Sequence, residues 1–155
     1  MKKQILKSES LEDTIKIASD FAKTLKGGDV VALYGELGSG KTTFVQAVAK
    51  ALGIREQIVS PSFVLARSYE IPRNNTSKSA GRLVHIDLYR LESADDLRSV
   101  DLSELASDSG SLVMIEWAQR AKRVLPEKRI DIHMVYKRES EREITIERKS
   151  TANSG

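Results

Sequence analysis

Gly35-Glu36-Leu37-Gly38-Ser39-Gly40-Lys41-Thr42 is the segment whose residue types and spacing speak most directly of chemistry. It satisfies G-x-x-x-x-G-K-[ST] at every position, the pattern of a loop that wraps phosphate groups. Its glycines permit backbone conformations that turn successive amides, Leu37 to Thr43, into one concavity for phosphate oxygens. A helix starting at the end of the loop aims its positive pole at the same place. Lys41 supplies a full charge for the β and γ phosphates, and the Thr42 hydroxyl suits a magnesium ion. The ligands expected here are ATP and Mg2+, with Gly35, Leu37, Gly38, Ser39, Gly40, Lys41, Thr42 and Thr43 lining the grip. Adenine is preferred over guanine, since the Asn-Lys-x-Asp signature occurs nowhere in the chain.

Such a loop needs acids for the metal and for an attacking water. Asp87 closes Leu83-Val84-His85-Ile86-Asp87, and Glu116 closes Leu112-Val113-Met114-Ile115-Glu116. An apolar run ending in a carboxylate delivers an acid to the phosphate end of a parallel sheet. Either acid alone reads equally well as a solvated strand end. Together, beside a complete phosphate loop, they join Lys41 as the catalytic candidates, with Asp87 also facing the nucleotide. Ser60-Pro61-Ser62-Phe63 is either a switch-like loop that meets the γ-phosphate or an ordinary strand-entry turn. His85 shares a strand face with Asp87 and Tyr89; a hydrogen-bonded strand histidine is preferred there to a catalytic one. Trp117 lines a nucleotide or partner surface, or fills the core. Arg120, Lys122, Arg123, Lys128 and Arg129 cluster near a helix end, as a solvated face or a contact for RNA or an acidic protein.

The elements around these residues follow from periodicity. Leu11, Ile15, Ala18, Phe21, Ala22 and Leu25 recur at helical spacing, with Ser10 and Asp13 as a capping pair and Gly27-Gly28 as the stop. Val30 to Tyr34 is a run suited to a strand buried on both faces. The next helix turns Phe44, Val45, Val48, Ala49 and Leu52 inward and ends at Gly53. Phe63 to Ile71 and Arg82 to Tyr89 read as an antiparallel hairpin with a polar, mobile tip, including the insert Asn74 to Ser79. Ser93 with Asp96 opens a short helix, and Asp101 to Ala106 forms another. Ser111 to Glu116 is a further buried strand, followed by a helical stretch that Pro126 ends. Ile130, Ile132, Met134 and Tyr136, then Ile144 and Ile146, alternate in a last hairpin turning near Glu139 to Arg142. The expected fold is one α/β P-loop NTPase domain over residues 1–149. Its central sheet is mixed but mainly parallel, flanked by helices and antiparallel hairpins, with 150–155 as a disordered polar tail.

A chain of 155 residues with 40% hydrophobic and 30% charged content is an ordinary single globular domain. It has no cysteine, so disulfide and thiolate chemistry are excluded, and zinc is disfavoured with only His85 and His133. The N-terminus lacks the apolar run of a signal peptide, and no stretch spans a bilayer, so a cytoplasmic location without membrane contact is expected. A net charge of +3 permits a nucleic-acid partner without requiring one.

In combination these motifs resemble the TsaE (YjeE) family, small bacterial ATPases of tRNA threonylcarbamoyladenosine biosynthesis. The resemblance rests on the phosphate loop running into Thr43, on Ser60-Pro61-Ser62-Phe63, on His85-Ile86-Asp87-Leu88-Tyr89-Arg90-Leu91, and on Ile115-Glu116-Trp117, in that order. It implies that Thr42 and Glu116 hold magnesium, and that Asp87 sits by the terminal phosphate and supports hydrolysis. It makes the Ser-Pro segment the switch-like loop, where most members have Ser-Pro-Thr and this chain has Ser62. Adenine would lie near Ser10 and Arg142. The resemblance further implies a slow, partner-dependent ATPase that cycles a TsaB/TsaD-type heterodimer acting on the tRNA adenosine next to the anticodon, with tRNA contacted indirectly. Two rivals stand beside it. A P-loop small-molecule kinase would require an acceptor, and a non-catalytic nucleotide-gated adaptor would bind ATP without turning it over.

Overall fold

The computed structural model describes residues 2–36, 38–59, 66–73, 80–90 and 101–150. Leu37, Ser60-Pro61-Ser62-Phe63, the insert Asn74 to Ser79, the expected Ser93 helix and the tail beyond Ser150 lie outside the described residues.

Seven strands form one sheet in the order β1-β7-β6-β2-β5-β4-β3. The strands are β1 (Lys2–Ser8), β2 (Val30–Tyr34), β3 (Ala66–Glu70), β4 (Arg82–Asp87), β5 (Ser111–Glu116), β6 (Arg129–Arg138) and β7 (Glu141–Lys149). The centre, β6-β2-β5-β4, is parallel, and antiparallel pairs with β3 on one side and β7 and β1 on the other complete it. Strands β2 and β5 are buried along their whole length, as continuous apolar runs covered on both faces must be.

Alternation along β2 divides the core. Val31 and Leu33 face helices α1 (Leu11–Ala22) and α2 (Lys41–Ala51), packing with Phe21, Phe44, Val48 and Leu52. Val30, Ala32 and Tyr34 face the other way. There Leu102 of α3 (Leu102–Ser107) and Ala118, Ala121 and Leu125 in and beyond a 3₁₀ segment, Ala118–Val124, cover the sheet. Among the described residues no helix is long and apolar enough to cross a membrane.

Helix signals were legible at several ends. The Asp13 amide donates to Ser10 Oγ at 3.0 Å and the Glu9 amide to Asp13 Oδ2 at 2.9 Å, a reciprocal cap at the start of α1. At the end of α2, Gly53 takes φ +88° while its amide donates to Lys50 O and that of Ile54 to Ala49 O. That pair of bonds is the Schellman arrangement, which needs a left-handed residue where glycine stands.

Several expectations are corrected. Helix α1 stops at Ala22, well before Gly27-Gly28, and its buried face is Thr14, Ala18, Phe21 and Ala22. Leu11 and Ile15 stay 58% and 40% exposed, because the helix is rolled about its axis toward the face that carries Thr14, Ala18 and Phe21. Strand β1 was not expected: its residues are mostly exposed, so it carries little apolar signal and is held by its antiparallel pairing with β7. Strand β4 ends at Asp87, leaving Tyr89 in the turn beyond it. The stretch before Pro126 is two short 3₁₀ turns kinked at Ala121 rather than a regular helix. Arg129 does not belong to a solvated cluster: it lies in β6, donating to Asp131 Oδ1 at 2.8 Å and to Pro126 O at 3.0 Å.

Candidate active site

Parallel strands β2, β4 and β5 all end at the same edge of the sheet, so Tyr34, Asp87 and Glu116 are delivered together. Between β2 and α2 lie Gly35, Glu36 and Gly38 to Gly40, and Asp87 is the register partner of Glu116. This is the crevice at the carboxyl ends of strands where open α/β sheets take their ligands.

Two glycines are dictated by space and geometry. A Cβ on Gly35 would stand 2.7 Å from the carbonyl oxygen of Met134 and 2.5 Å from Ser39 Oγ, so no larger residue fits where the loop passes β6. Gly40 caps α2 at φ +104°, a left-handed conformation that costs other residues about 1 kcal/mol or more. No side chain caps α2, so its first amides remain presented to the cleft as anion donors.

Lys41 is nearly buried and reaches back across the loop. Its Nζ donates to Gly35 O at 2.6 Å, Glu36 O at 2.9 Å and Ser39 Oγ at 3.3 Å, and sits 4.1 Å from the centre of the Trp117 ring. Burial pushes its pKa below the ordinary lysine value, against the opposing fields of Glu116, Asp87 and Glu36.

The Thr42 hydroxyl donates to Glu116 Oε1 at 2.8 Å, so a hydroxyl from α2 and a carboxylate from β5 meet beside Lys41. The other oxygen of Glu116 is 2.6 Å from Nε2 of His85, which is fully buried. A hard-oxygen pair at a phosphate loop fits magnesium, which is held by one or two protein oxygens plus phosphate oxygens. Among the described residues no group of three or more His, Cys, Asp or Glu side chains is arranged to hold a metal ion by itself. Asp87 lines the same cleft and accepts from the Tyr89 amide at 3.0 Å.

The cleft has a volume of about 610 Å³, within the range of small-molecule sites. Gly38 to Thr43, Asp87 and Glu116 line it, and so do Ser10 and Arg142. Arg142 donates to Gly38 O at 3.3 Å and stacks over Tyr136 at 4.6 Å, while Ser140 Oγ donates to Glu9 O at 2.7 Å. The tip of the β6–β7 hairpin is thereby tied to both the loop and the start of α1.

Trp117 is on the cleft wall, not in the core centre. It takes a left-handed backbone at φ 58°, ψ 42°, and its ring lies 5.0 Å from that of Tyr89. A bulky residue in that region marks strain held by its surroundings, as functional sites often show. Arg120 lies 5.7 Å from the Trp117 ring and 5.9 Å from that of Tyr89. Lining by Leu11, Thr14, Tyr89, Glu139 and Ser140 was not foreseen. Only tertiary pairing brings the hairpin tip to α1; periodicity carried no trace of it, and only the family resemblance, which put adenine near Ser10 and Arg142, brought the two segments together.

A glycine-built phosphate loop between a central parallel strand and a helix, with two strand-end acids at its mouth, places this chain among the P-loop α/β proteins. Residues 8–144 match the family described as threonylcarbamoyl adenosine biosynthesis protein TsaE. The chain is 41% identical to the tRNA threonylcarbamoyladenosine biosynthesis protein TsaE of Aquifex aeolicus, over 79% of this chain and 80% of that one. It is 37% identical to the Treponema pallidum protein of the same name, over 90% and 96% of the two chains. The crystal structure of Bacillus subtilis YdiB superposes with a TM-score of 0.76 at 32% identity, covering 96% of this chain and 87% of that one. The chain belongs to the TsaE family.

Proposed function

We propose that this protein binds ATP with magnesium in the cleft and hydrolyses it, serving the threonylcarbamoyladenosine modification of the tRNA adenosine next to the anticodon. The observation that carries the reading is the meeting of Thr42 and Glu116 at 2.8 Å at the open N-terminus of α2, with Lys41 and Asp87 in the same cleft. The backbone of residues 38–43 and Lys41 bind and orient the phosphates. Thr42 and Glu116 would hold a magnesium ion, which would supply positive charge against that of the phosphates. Asp87, at the cleft end of β4, orients a water toward the terminal phosphate and takes its proton. Ser10 and Arg142 border the space for the base.

The modification chemistry belongs to a TsaB/TsaD-type heterodimer, and this chain acts on it through its nucleotide state. ATP favours the assembly and hydrolysis resets it, so that tRNA is contacted indirectly. What supports this role is membership of a family whose relatives are named for that biosynthesis, and a cleft with aromatic residues at its rim.

Phosphate release measured with and without the heterodimer tests the proposal. Wild-type protein should release phosphate without any added acceptor, faster with the heterodimer. Asp87→Asn should bind ATP comparably and lose about 100-fold or more in turnover, the range for a positioned general base. Turnover that requires an added hydroxyl acceptor, or an Asp87→Asn protein as active as wild type, would refute it.

A further inference from the structure

A polar ring stands in β4 where strand alternation calls for an apolar side chain. His85 is fully buried, and its same-face neighbours Leu83 and Met114 belong to the core beneath α2. Its Nε2 lies 2.6 Å from Glu116 Oε2, and among the described residues its buried Nδ1 has no hydrogen-bond partner. A carboxylate only accepts, so Nε2 carries the hydrogen of this contact. Burying such a ring costs stability compared with an aliphatic residue of similar size. Among the described residues, the one polar interaction the ring gains in return is with Glu116.

Glu116 is held from two sides. His85 grips Oε2 from within the core, while Oε1 accepts from the Thr42 hydroxyl at the cleft. Without the inner contact, a glutamate with three rotatable bonds would lose the restraint that aims Oε1 at Thr42. His85 itself does not line the cleft.

We propose that His85 is a positioning residue that fixes the Glu116 carboxylate, so that Oε1 and the Thr42 hydroxyl are presented as a preset pair to a divalent cation. This inference rests on the reading of Thr42 and Glu116 as the magnesium-holding pair. It acts through Glu116 and touches no substrate. Partners behind metal ligands commonly orient them in this way.

Two substitutions separate the hydrogen bond from the ring. His85→Gln places an amide donor near the reach of Nε2, whereas the shorter side chain of His85→Asn stops near the reach of Nδ1. Mn2+ affinity is read by electron paramagnetic resonance in the presence of a non-hydrolysable ATP analogue, with analogue binding in EDTA as the control. His85→Asn should weaken Mn2+ binding by about 10-fold or more, His85→Gln should stay within about threefold of wild type, and analogue binding in EDTA should not change. Wild-type Mn2+ affinity in His85→Asn would overturn the proposal. So would equal losses in both variants, which report on packing of the ring. If either variant lacks a native melting transition, His85→Phe keeps the ring without a donor, and wild-type Mn2+ affinity in it is equally fatal. A wild-type protein whose Mn2+ affinity ignores the analogue gives a separate result: it removes the magnesium pair itself, and this inference with it.

Discussion

Burial lowers the pKa of Lys41, while Glu116, Asp87 and Glu36 oppose the shift. The charged ammonium is the form that attracts phosphate, so the consequence has a definite sign. Affinity for Mg·ATP should be fully expressed while Lys41 is protonated and should fall as pH rises through the pKa of the free protein. Because that pKa lies below the ordinary 10.5, the fall begins earlier than for an exposed lysine. Equilibrium binding across the alkaline range should show the bend below that value; affinity constant up to it would contradict the assignment. Both oxygens of Glu116 are engaged, by Thr42 and by His85, whereas only the first partner was anticipated, as the fellow ligand that the family resemblance implied. The histidine was expected to be a hydrogen-bonded residue on a strand. The identity of its acceptor depends on the parallel registration of β4 with β5, which no local pattern encodes.

Helix α1 and the β6–β7 hairpin set the open wall of the cleft. The cap at Ser10 fixes where the helix begins, and Ser140 ties the hairpin tip to the residue before it. Ser10→Ala removes the side-chain acceptor for the Asp13 amide and should cost about 1 kcal/mol of stability. Thermal unfolding should detect it as a drop of roughly 2–4 °C for a domain of this size. An unchanged midpoint would show that Asp13 alone secures the start of the helix.

Elements announced by strong local chemistry were readable before any coordinates. Val30 to Tyr34 and Ser111 to Glu116 are strands at their expected bounds, because residues buried on both faces leave an unbroken apolar run. The end of α2 at Gly53 was readable because only a left-handed residue closes that motif. The rolled face of α1 and the whole of β1 were not. Leu11 and Ile15 match the helical period yet remain exposed, and β1 is fixed by backbone hydrogen bonds to β7 that are indifferent to side-chain type. Of the site, the phosphate loop and the two acids were visible in motif and strand ending. The wall formed by Thr14, Glu139 and Ser140 arises from tertiary contact between chain segments far apart in sequence.

At the scale of the molecule, the parallel centre gathers strand ends from β2, β4 and β5 on one edge, and two layers of helix seal the sheet that carries them. The antiparallel additions extend that platform: β6 and β7 bring Arg142 over the loop, and β1 leads directly into the cap of α1. A ligand spanning loop, helix start and hairpin tip therefore contacts segments distant in sequence but fixed to one sheet. Isothermal titration calorimetry with Mg·ATP tests this most directly. The account predicts one saturable site per chain, weakened about 10–100-fold by Lys41→Ala, the range for losing a charge-assisted hydrogen bond. Folded wild-type protein that shows no saturable heat, or a Lys41→Ala protein that binds as tightly as wild type, would contradict it.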